Sequence, residues 1–542
     1  MKLVTSAQMH ELERKAVEAG TPLDALMEQA GLAVAQEAWL TLGVVAGRRI
    51  LVLVGPGNNG GDGLVAARHL AEWESDVVVY LLAARPDGDA NYARVRELGV
   101  PVVLATDDPD FTSLQGALDT SEMVIDALLG TGRSRPIDGA LAEILRRLRA
   151  AAARTLPPKI IAVDLPTGID ADSGRADDLA VRADMTVTFG LAKVGLYTLP
   201  GSQFAGRIQV VDIGLPRDAE RAVPLDLLGT PWVRERLPKR PVAGNKGTFG
   251  RVLVVGGSMQ YVGAARLAAE AAYRTGAGLV TIACPAGVQP LLAPSIAEAT
   301  WLPLPDDAGA LSAAAGAVII DRLASYDVLL IGPGLGQGDG VRSVVASVLA
   351  AAPATLRGCV IDADALNALS AMSGAAAWPA SIHAPCVLTP HPGEMARLLG
   401  STVAAVQDDR LNVATRAAAE WKQTVVLKGA HTVIAAPDGR AAISPYANPL
   451  LASAGTGDVL AGAIAGLLAQ GLAPFDAAAC GVFLHGLAAE ELADDLGDRG
   501  LLASDLLPAL PRATRLVLRG SPLRTPLPGL GDIASAFGSA GT

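Results

Sequence analysis

Two glycine-rich loops, about 400 residues apart, each bring a carboxylate to the start of a helix. The first is Gly55-Pro56-Gly57-Asn58-Asn59-Gly60-Gly61-Asp62-Gly63, and the second is Ala454-Gly455-Thr456-Gly457-Asp458. Exposed backbone N–H groups at a helix N-terminus form a site for phosphate. A carboxylate beside such a nest is repelled by the ligand unless it handles a proton or a cation. Both loops therefore read as chemical, and their separation predicts two active sites in one polypeptide. Asp458 stands where it can take a proton from an attacking hydroxyl. The plainer alternative at each loop is a helix turn with aspartate as its cap.

Other residues gather around each loop. Val124-Ile125-Asp126-Ala127-Leu128-Leu129-Gly130-Thr131-Gly132 puts Asp126 at a strand end before a glycine turn, and Val163-Asp164-Leu165-Pro166-Thr167-Gly168 does the same with Asp164 and the Thr167 hydroxyl. Amide, carboxylate and hydroxyl oxygens meeting in one crevice suit a hard cation, with too few carboxylates for a two-metal hydrolytic centre. In the second half, Lys428 can neutralise nucleotide phosphates, and Gly429 after it lets the backbone approach. Glu394 serves either a magnesium shell or the first turn of a helix. His391 either caps that helix or faces a ligand. Lys193 is either a solvated surface lysine or part of the first site. His10, His69, His383 and His485 stand alone and read as structural.

The elements that must position these residues alternate. Residues 5–40 carry helical periodicity, with Met9, Leu12 and Ala16 and then Leu26, Ala30, Val34 and Ala38 on one side. Strands follow at 50–54, 77–82, 102–104, 123–125, 160–163, 185–188 and 208–211, with helices at 63–73, 91–98 and 140–152. Such alternation predicts a doubly wound parallel sheet, with ligands at the carboxyl ends of the strands. Residues 214–245 are proline-marked and weakly periodic, with 214–224 read as linker. A second alternation has strands at 252–255, 279–283, 328–331, 360–361, 387–388 and 425–427. A hairpin at 432–443 and helices at 262–274, 457–469 and 476–492 complete it. The fold class is thus α/β twice: a Rossmann-like domain over 1–213 and a second α/β domain over 225–515. Residues 516–542 read as a mobile tail rich in small residues and proline.

Composition agrees. Of 542 residues, 51% are hydrophobic and only 4% aromatic, which suits small-residue packing of helices on sheets. A net charge of −11 without a basic run argues against nucleic acid as a partner. Cys284, Cys359, Cys386 and Cys480 are scattered through apolar runs, as buried thiols in a reducing cytoplasm would be. Glu11 interrupts the N-terminus before any apolar run, so no signal peptide is read there. Val459–Phe475 is apolar but broken by Gly462, Gly466 and Gly471, and reads as a buried helix rather than a membrane span.

The runs GNNGGDG, VIDALLGTG and DLPTGID, in that order, resemble the YjeF N-terminal family of NAD(P)HX epimerases. That resemblance implies a Rossmann-like fold, a potassium ion and interconversion of the C6 epimers of hydrated NADH or NADPH. It implies Asn59, Asp126 and Thr167 as potassium ligands. It also implies Asn58, Asn59, Gly60, Gly61 and Asp62, with Gly130, Thr131, Gly132, Arg133, Ser134, Arg135 and Pro136, as the dinucleotide cradle. Asp164 would be the catalytic group at the hydrated ring. Residues 225–515, through Asn245-Lys246-Gly247, Gly332-Pro333-Gly334, Thr389-Pro390-His391-Pro392-Gly393-Glu394, Lys428-Gly429-Ala430-His431-Thr432 and the Gly455–Asp458 loop, resemble the ribokinase-like ADP-dependent NAD(P)HX dehydratases. Implied there are Asp458 as catalytic base, and Ala264, Gly334, His391, Lys428, Gly429, Ala430, His431, Thr432 and Gly457 as ligand-binding residues. The implied co-substrate is ADP, with magnesium. Together these imply a cytoplasmic bifunctional repair enzyme that meets NAD(P)HX and ADP but neither nucleic acid nor membrane. A homo-oligomer is expected, with the helices in 5–40 as a candidate contact. The competing expectation is a small-alcohol kinase fused to a non-catalytic dinucleotide-binding module.

Overall fold

The structure is a computed structural model and describes residues 1–132, 136–372 and 378–520. The chain divides into two compact units at Leu225/Asp226.

In the first unit seven strands form one parallel sheet. From edge to edge they are Val102–Leu104, Asp76–Leu81, Arg49–Val54, Met123–Ala127, Lys159–Val163, Met185–Phe189 and Arg207–Val211. The chain leaves Arg49–Val54 toward one edge and returns to its other side with Met123–Ala127. The carboxyl ends of these two strands therefore mark the switch point where such sheets bind ligands. Alternate strand residues feed opposite layers. Ile50, Val52 and Val54 enter one core cluster with Met9, Leu12 and Ala16, and Leu51 and Leu53 enter another with Leu145 and Leu148. Helices Ser6–Glu18 and Leu23–Leu42 cover the first face.

One boundary differs in a way that matters. The helix expected from Gly63 begins at Asn58, with Gly57 as its cap. The amide-rich run is thus its first turn, and Asp62 lies inside the helix rather than capping it. Glycines disfavour helix, but packing demands them here. A Cβ on Gly60 would lie 2.0 Å from the Gly55 carbonyl oxygen, and one on Gly61 2.7 Å from Met27 Sδ.

The second unit holds ten strands in one sheet. In order they are Leu225–Leu227, Ala441–Ile443, Val433–Ala435, Thr424–Leu427, Cys386–Leu388, Gly358–Ile361, Val328–Ile331, Arg251–Val255, Leu279–Pro285 and Thr300–Leu304. The run from Thr424–Leu427 to Thr300–Leu304 is parallel, and the hairpin 433–443 joins antiparallel. Helices Val262–Thr275 and Thr456–Ala469 pack tightly on this sheet. A Cβ on Gly462 would meet the Ala268 carbonyl oxygen at 2.0 Å, and one on Gly466 the Thr275 Oγ1 at 2.2 Å. The glycines that break the apolar stretch are contact points between buried helices. Among the described residues no helix is long and apolar enough to cross a membrane. Residues 217–220 form a one-turn helix within the expected linker, and the last helix, Ala503–Arg519, extends into the segment expected to be tail. Residues 521–542 lie outside the described residues. All four cysteines are buried and free.

Candidate active sites

At the switch point of the first sheet, three segments interlock. The buried Asp126 accepts from the Thr167 backbone N–H at 2.9 Å and from its hydroxyl at 2.7 Å. Thr167 Oγ1 in turn accepts from Leu129 N–H at 3.1 Å, and Asn59 Nδ2 donates to the Leu129 carbonyl at 3.0 Å. A Cβ on Gly130 would lie 3.1 Å from Asn59 Oδ1, a tight approach that a larger residue could make only if Asn59 gave way. Asn59, Asp126 and Thr167, expected to share a cation, are thus brought to one place. Burial pushes the Asp126 carboxyl up, against the hydrogen bonds from Thr167 and Leu128. A cation among these oxygens would offset that cost.

Asp164 ends its strand in the left-handed region, at φ 65°. This turns its carboxylate back onto the next strand, where Oδ1 accepts from Thr188 Oγ1 at 3.1 Å and from Phe189 N–H at 3.3 Å. It also forms an ion pair with Lys193. Lys193 is 1% exposed, so the surface reading of this lysine is wrong. Its ammonium also donates to the Phe189 carbonyl at 3.2 Å and to Thr188 Oγ1 at 3.2 Å.

Asp62, in helix Asn58–Glu72, feels the charges of the same pair. Loss of solvent, then the Asp164 and Glu13 carboxylates, push its carboxyl well above the usual range. A cavity of about 690 Å³ opens beside this cluster, walled by Gly130, Thr131, Gly132, His10, Pro166 and Arg175 among others. Of the expected cradle, Arg133, Ser134 and Arg135 lie outside the described residues, and Pro136 is exposed.

Sequence reasoning missed three contributors. Arg85 donates to the carbonyls of Gly55 at 2.8 Å and Gly57 at 3.0 Å while held by Asp89 at 2.7 Å, bracing the glycine turn. His10, read as structural, lines the cavity and contacts Thr131 Oγ1 at 3.5 Å. Glu13 reaches the cluster from the first helix. None of the three lies in a motif, so only the fold reveals them.

The second site is built around Lys428. Its ammonium donates to Asp362 at 2.7 Å, lies 3.9 Å from Glu394, and stands 3.5 Å from where a Cβ on Gly457 would be. Lys428 and the second glycine loop therefore meet, as expected. Gly455, at φ 87°, turns the chain into helix Thr456–Ala469, so Asp458 sits in the first turn and is not its cap. Among the described residues the Asp458 carboxylate has no hydrogen-bond or ion-pair partner. Burial first, then Asp362, pushes it up to about 7.

His391 satisfies the first of its readings, the helix cap. Its Nδ1 accepts from Gly393 N–H at 3.0 Å, capping helix Pro392–Leu399. That leaves Nε2 to carry the proton, 3.4 Å from Glu394 Oε1. Burial and then Lys428 hold its pKa below the usual histidine value. Glu394 closes the reciprocal cap by accepting from His391 N–H at 2.8 Å, and burial pushes it up to about 7.

The remaining expected residues fall nearby or behind. Gly334, at φ 62°, packs so that a Cβ would meet Ala264 Cβ at 2.8 Å. Gly429, at φ 136°, and His431, at φ 51°, shape the 428–432 turn, with Thr432 Oγ1 donating to the Gly429 carbonyl at 2.7 Å. The Ala430 side chain is half-buried. Burial drives His431 down to about 4, so it is neutral.

Two residues were missed here as well. Asp362, 1% exposed, accepts from Thr389 Oγ1 at 2.7 Å and anchors Lys428. It ends its strand just as Asp126 and Asp164 do, which was the signal available. His485, neutral because burial lowers it to about 4, contacts the Thr456 carbonyl through Nε2 at 3.0 Å and so steadies the glycine loop from behind.

Known proteins match both halves. Residues 23–195 fit the family described as YjeF-related protein N-terminus, and residues 252–512 fit the NAD(P)H-hydrate dehydratase family. A bifunctional NAD(P)H-hydrate repair enzyme of Moorella thermoacetica is 45% identical over 524 residues, covering 95% of this chain and 97% of that protein. The chain belongs to this family. Its counterpart from Thermofilum pendens is 38% identical over 522 residues, covering 95% and 96%. The ADP/ATP-dependent NAD(P)H-hydrate dehydratase of Bacillus subtilis, crystallised with ATP and Mg2+, is 34% identical, covering 55% of this chain and 100% of that one, at a TM-score of 0.46. As a bifunctional repair enzyme the chain has the expected fold class, a Rossmann-like unit followed by a ribokinase-like one. Membership also sets aside the small-alcohol kinase with a non-catalytic partner.

Proposed function

We propose that the first unit interconverts (6R)- and (6S)-NAD(P)HX and that the second dehydrates the (6S) form to NAD(P)H, converting ADP to AMP and phosphate. The observation that carries the second step is the meeting of Asp458, Lys428 and Gly457. The C6 hydroxyl of the hydrated ring is a poor leaving group. Asp458 takes its proton as the oxygen attacks the terminal phosphorus of ADP. Lys428 and the N–H groups at Gly457 hold the charge on the transferring phosphoryl group. The phosphate ester then leaves from C6, pushed by the ring nitrogen lone pair, and loss of the C5 proton restores the dihydropyridine. A base with its pKa near 7 suits this work at neutral pH.

Magnesium in this site would have Glu394 close by. Among the described residues no three His, Cys, Asp or Glu side chains form a metal-ligand cluster. Phosphate oxygens and water would therefore complete its shell. Residues 428–432 and Gly457 would hold the nucleotide, and Ala264, Gly334 and His391 the hydrated dinucleotide.

In the first unit the oxygens of Asn59, Asp126 and Thr167 fit potassium, which is hard and weakly charged. When bound it would orient residues 58–62 and 130–132 toward the dinucleotide. Asp164, two residues before Pro166 of the cavity wall, is the proposed proton-handling group. The cytoplasm is the proposed compartment. A homo-oligomer through helix Leu23–Leu42 is supported by the exposed Trp39 and Leu40 on it.

The test is an assay of separated (6R) and (6S) epimers with and without ADP. The proposal expects (6R) to become (6S) without ADP, and only (6S) to give NAD(P)H with it. Consumption of (6R) by an Asp164→Ala chain at the unaltered rate would refute the proton-handling role of Asp164.

A further inference from the structure

The first helix, Ser6–Glu18, buries Met9, Leu12 and Ala16 against the sheet. Glu13 stands within that stripe, four residues after Met9 and three before Ala16, where a helix needing only to pack would carry an apolar residue. It is half-buried, and among the described residues it makes no hydrogen bond or ion pair. Its surroundings come from three other elements and from its own. They are Lys193 and Asp164 at the strand ends, Asp62 in helix Asn58–Glu72, and His10 one turn before it. His10 also touches Thr131 on the cavity wall, so this side of the helix faces the ligand space.

A carboxyl costs free energy when it is taken from water without a partner. Burial raises Glu13 above the usual glutamate value, Lys193 and His10 oppose that, and Asp164 adds to it. Three carboxyls, of Glu13, Asp62 and Asp164, thus feel the charge of one ammonium. Asp164 alone holds the ion pair. Such a set keeps a proton on one carboxyl while another stays ionised.

Epimerisation at a hemiaminal carbon needs that arrangement. To invert C6, the C6–O bond breaks as a proton reaches the departing hydroxyl, which leaves as water. The ring nitrogen lone pair forms N1=C6. Water then adds to the other face and gives up a proton to a second group. One water leaves and one enters, one proton is given and one recovered, and no oxidant or reductant takes part. The reverse reaction swaps the two groups, so both must carry a proton in turn.

We infer that Glu13 is the second proton-handling residue of the epimerase site, working opposite Asp164 across the hydrated ring. This rests on the epimerase reading above. It assigns a catalytic role to the N-terminal helix, which then does more than cover the sheet.

The test uses the full chain with Glu13→Gln and Glu13→Asp, following (6R)-NADHX without ADP by chromatography. Expected for Glu13→Gln is a fall in epimerase kcat of about 10²-fold, KM within about threefold, and loss of one limb of the pH–kcat/KM profile. Glu13→Asp should restore at least about a tenth of the rate. His10→Gln should keep both limbs, which separates the titration of Glu13 from that of its neighbour. ADP-dependent dehydration of (6S)-NADHX should be unchanged in all three. A Glu13→Gln chain with kcat within threefold of the parent, or slower but with both limbs intact, overturns the assignment. A parent chain that leaves (6R)-NADHX unaltered overturns the epimerase reading and this role with it.

Discussion

The two sites start from one plan and treat their central carboxylate in opposite ways. In both, a parallel sheet presents acids at its strand ends and a glycine turn opens a helix. In the first unit Asp164 is locked by a buried lysine, a hydroxyl and a backbone N–H. In the second the lysine is given to Asp362 instead, and among the described residues Asp458 is left without a hydrogen-bond or ion-pair partner. A carboxylate held by an ion pair and hydrogen bonds stays in place. An unpaired one, short of water and beside other acids, holds its proton more tightly and can exchange it near neutrality. The difference fits the chemistry proposed for each. Phosphoryl transfer needs one base matched to a hydroxyl, with a cation kept ready for phosphate. Epimerisation needs a fixed group and a second acid that swaps roles with it.

The largest expected effect tests the unpaired half. Asp458→Asn removes the base and leaves Lys428, Asp362 and the glycine loop in place. Dehydration of (6S)-NADHX should fall by about 10²-fold or more, with ADP binding by calorimetry within a fewfold. Undiminished turnover would mean that Asp458 is only a helix-turn acid, and the contrast between the sites would collapse.

The locked half is tested by stability. Lys193→Met leaves the Asp164 carboxylate buried with no cation. Breaking a buried pair by removing one partner costs about 3–5 kcal/mol. The first unit should lose that much in denaturant unfolding, and a double variant with Asp164→Asn should recover part of it. A single variant as stable as the parent would show that the pair is solvated in solution.

How far these residues could be read in advance follows from where they sit. The Gly455–Asp458 loop, Asp126, Asp164 and Lys428 lie in short runs whose residue types announce a turn, a strand end or a helix start. Arg85, Glu13 and His485 lie in no such run. They matter because the fold carries them to the loops from tens of residues away, and one sequence has no signal for that. The start of helix Asn58–Glu72 was misplaced for a related reason. Local propensity argues against helix at Gly60 and Gly61, and only the close approach of the Gly55 carbonyl and Met27 explains them. The edge strand Thr300–Leu304 escaped notice because Pro303 interrupts it, which an edge position tolerates.

The pH response sharpens the contrast further. Asp458 and Glu394 are both pushed up to about 7, by burial first. The base acts when ionised, so dehydration should fall about tenfold per pH unit once pH drops below that value. It should fall more steeply if Glu394 must ionise too. Stability runs the other way. A carboxyl raised on folding favours the protonated native state, and its contribution is full below the ordinary carboxylate value and lost as pH rises toward about 7. The second unit should therefore become more active and less stable over the same range. Parallel changes in rate and stability would show that these carboxyls are not the groups that titrate.

The smallest effect on the fold comes from Gly457→Ala, which separates a glycine kept for structure from one kept for a ligand. Gly455 needs its glycine, because φ is 87° and a Cβ would sit 2.8 Å from Leu267 Cδ1. Gly457 has helical backbone, and the nearest atom to its Cβ would be Lys428 Nζ at 3.5 Å, an ordinary contact. Nothing in the protein alone excludes alanine there, and in a helix alanine is better than glycine by up to about 1 kcal/mol. The second unit should melt at the same temperature or slightly higher. A phosphate, however, must approach the N–H groups at this position, and a methyl group stands in its way. KM for ADP should rise several-fold while KM for the hydrated dinucleotide stays close to that of the parent. If ADP binds Gly457→Ala as well as the parent chain, the phosphate does not sit on this helix start, and Lys428 and Asp458 would need another partner to explain why they meet there.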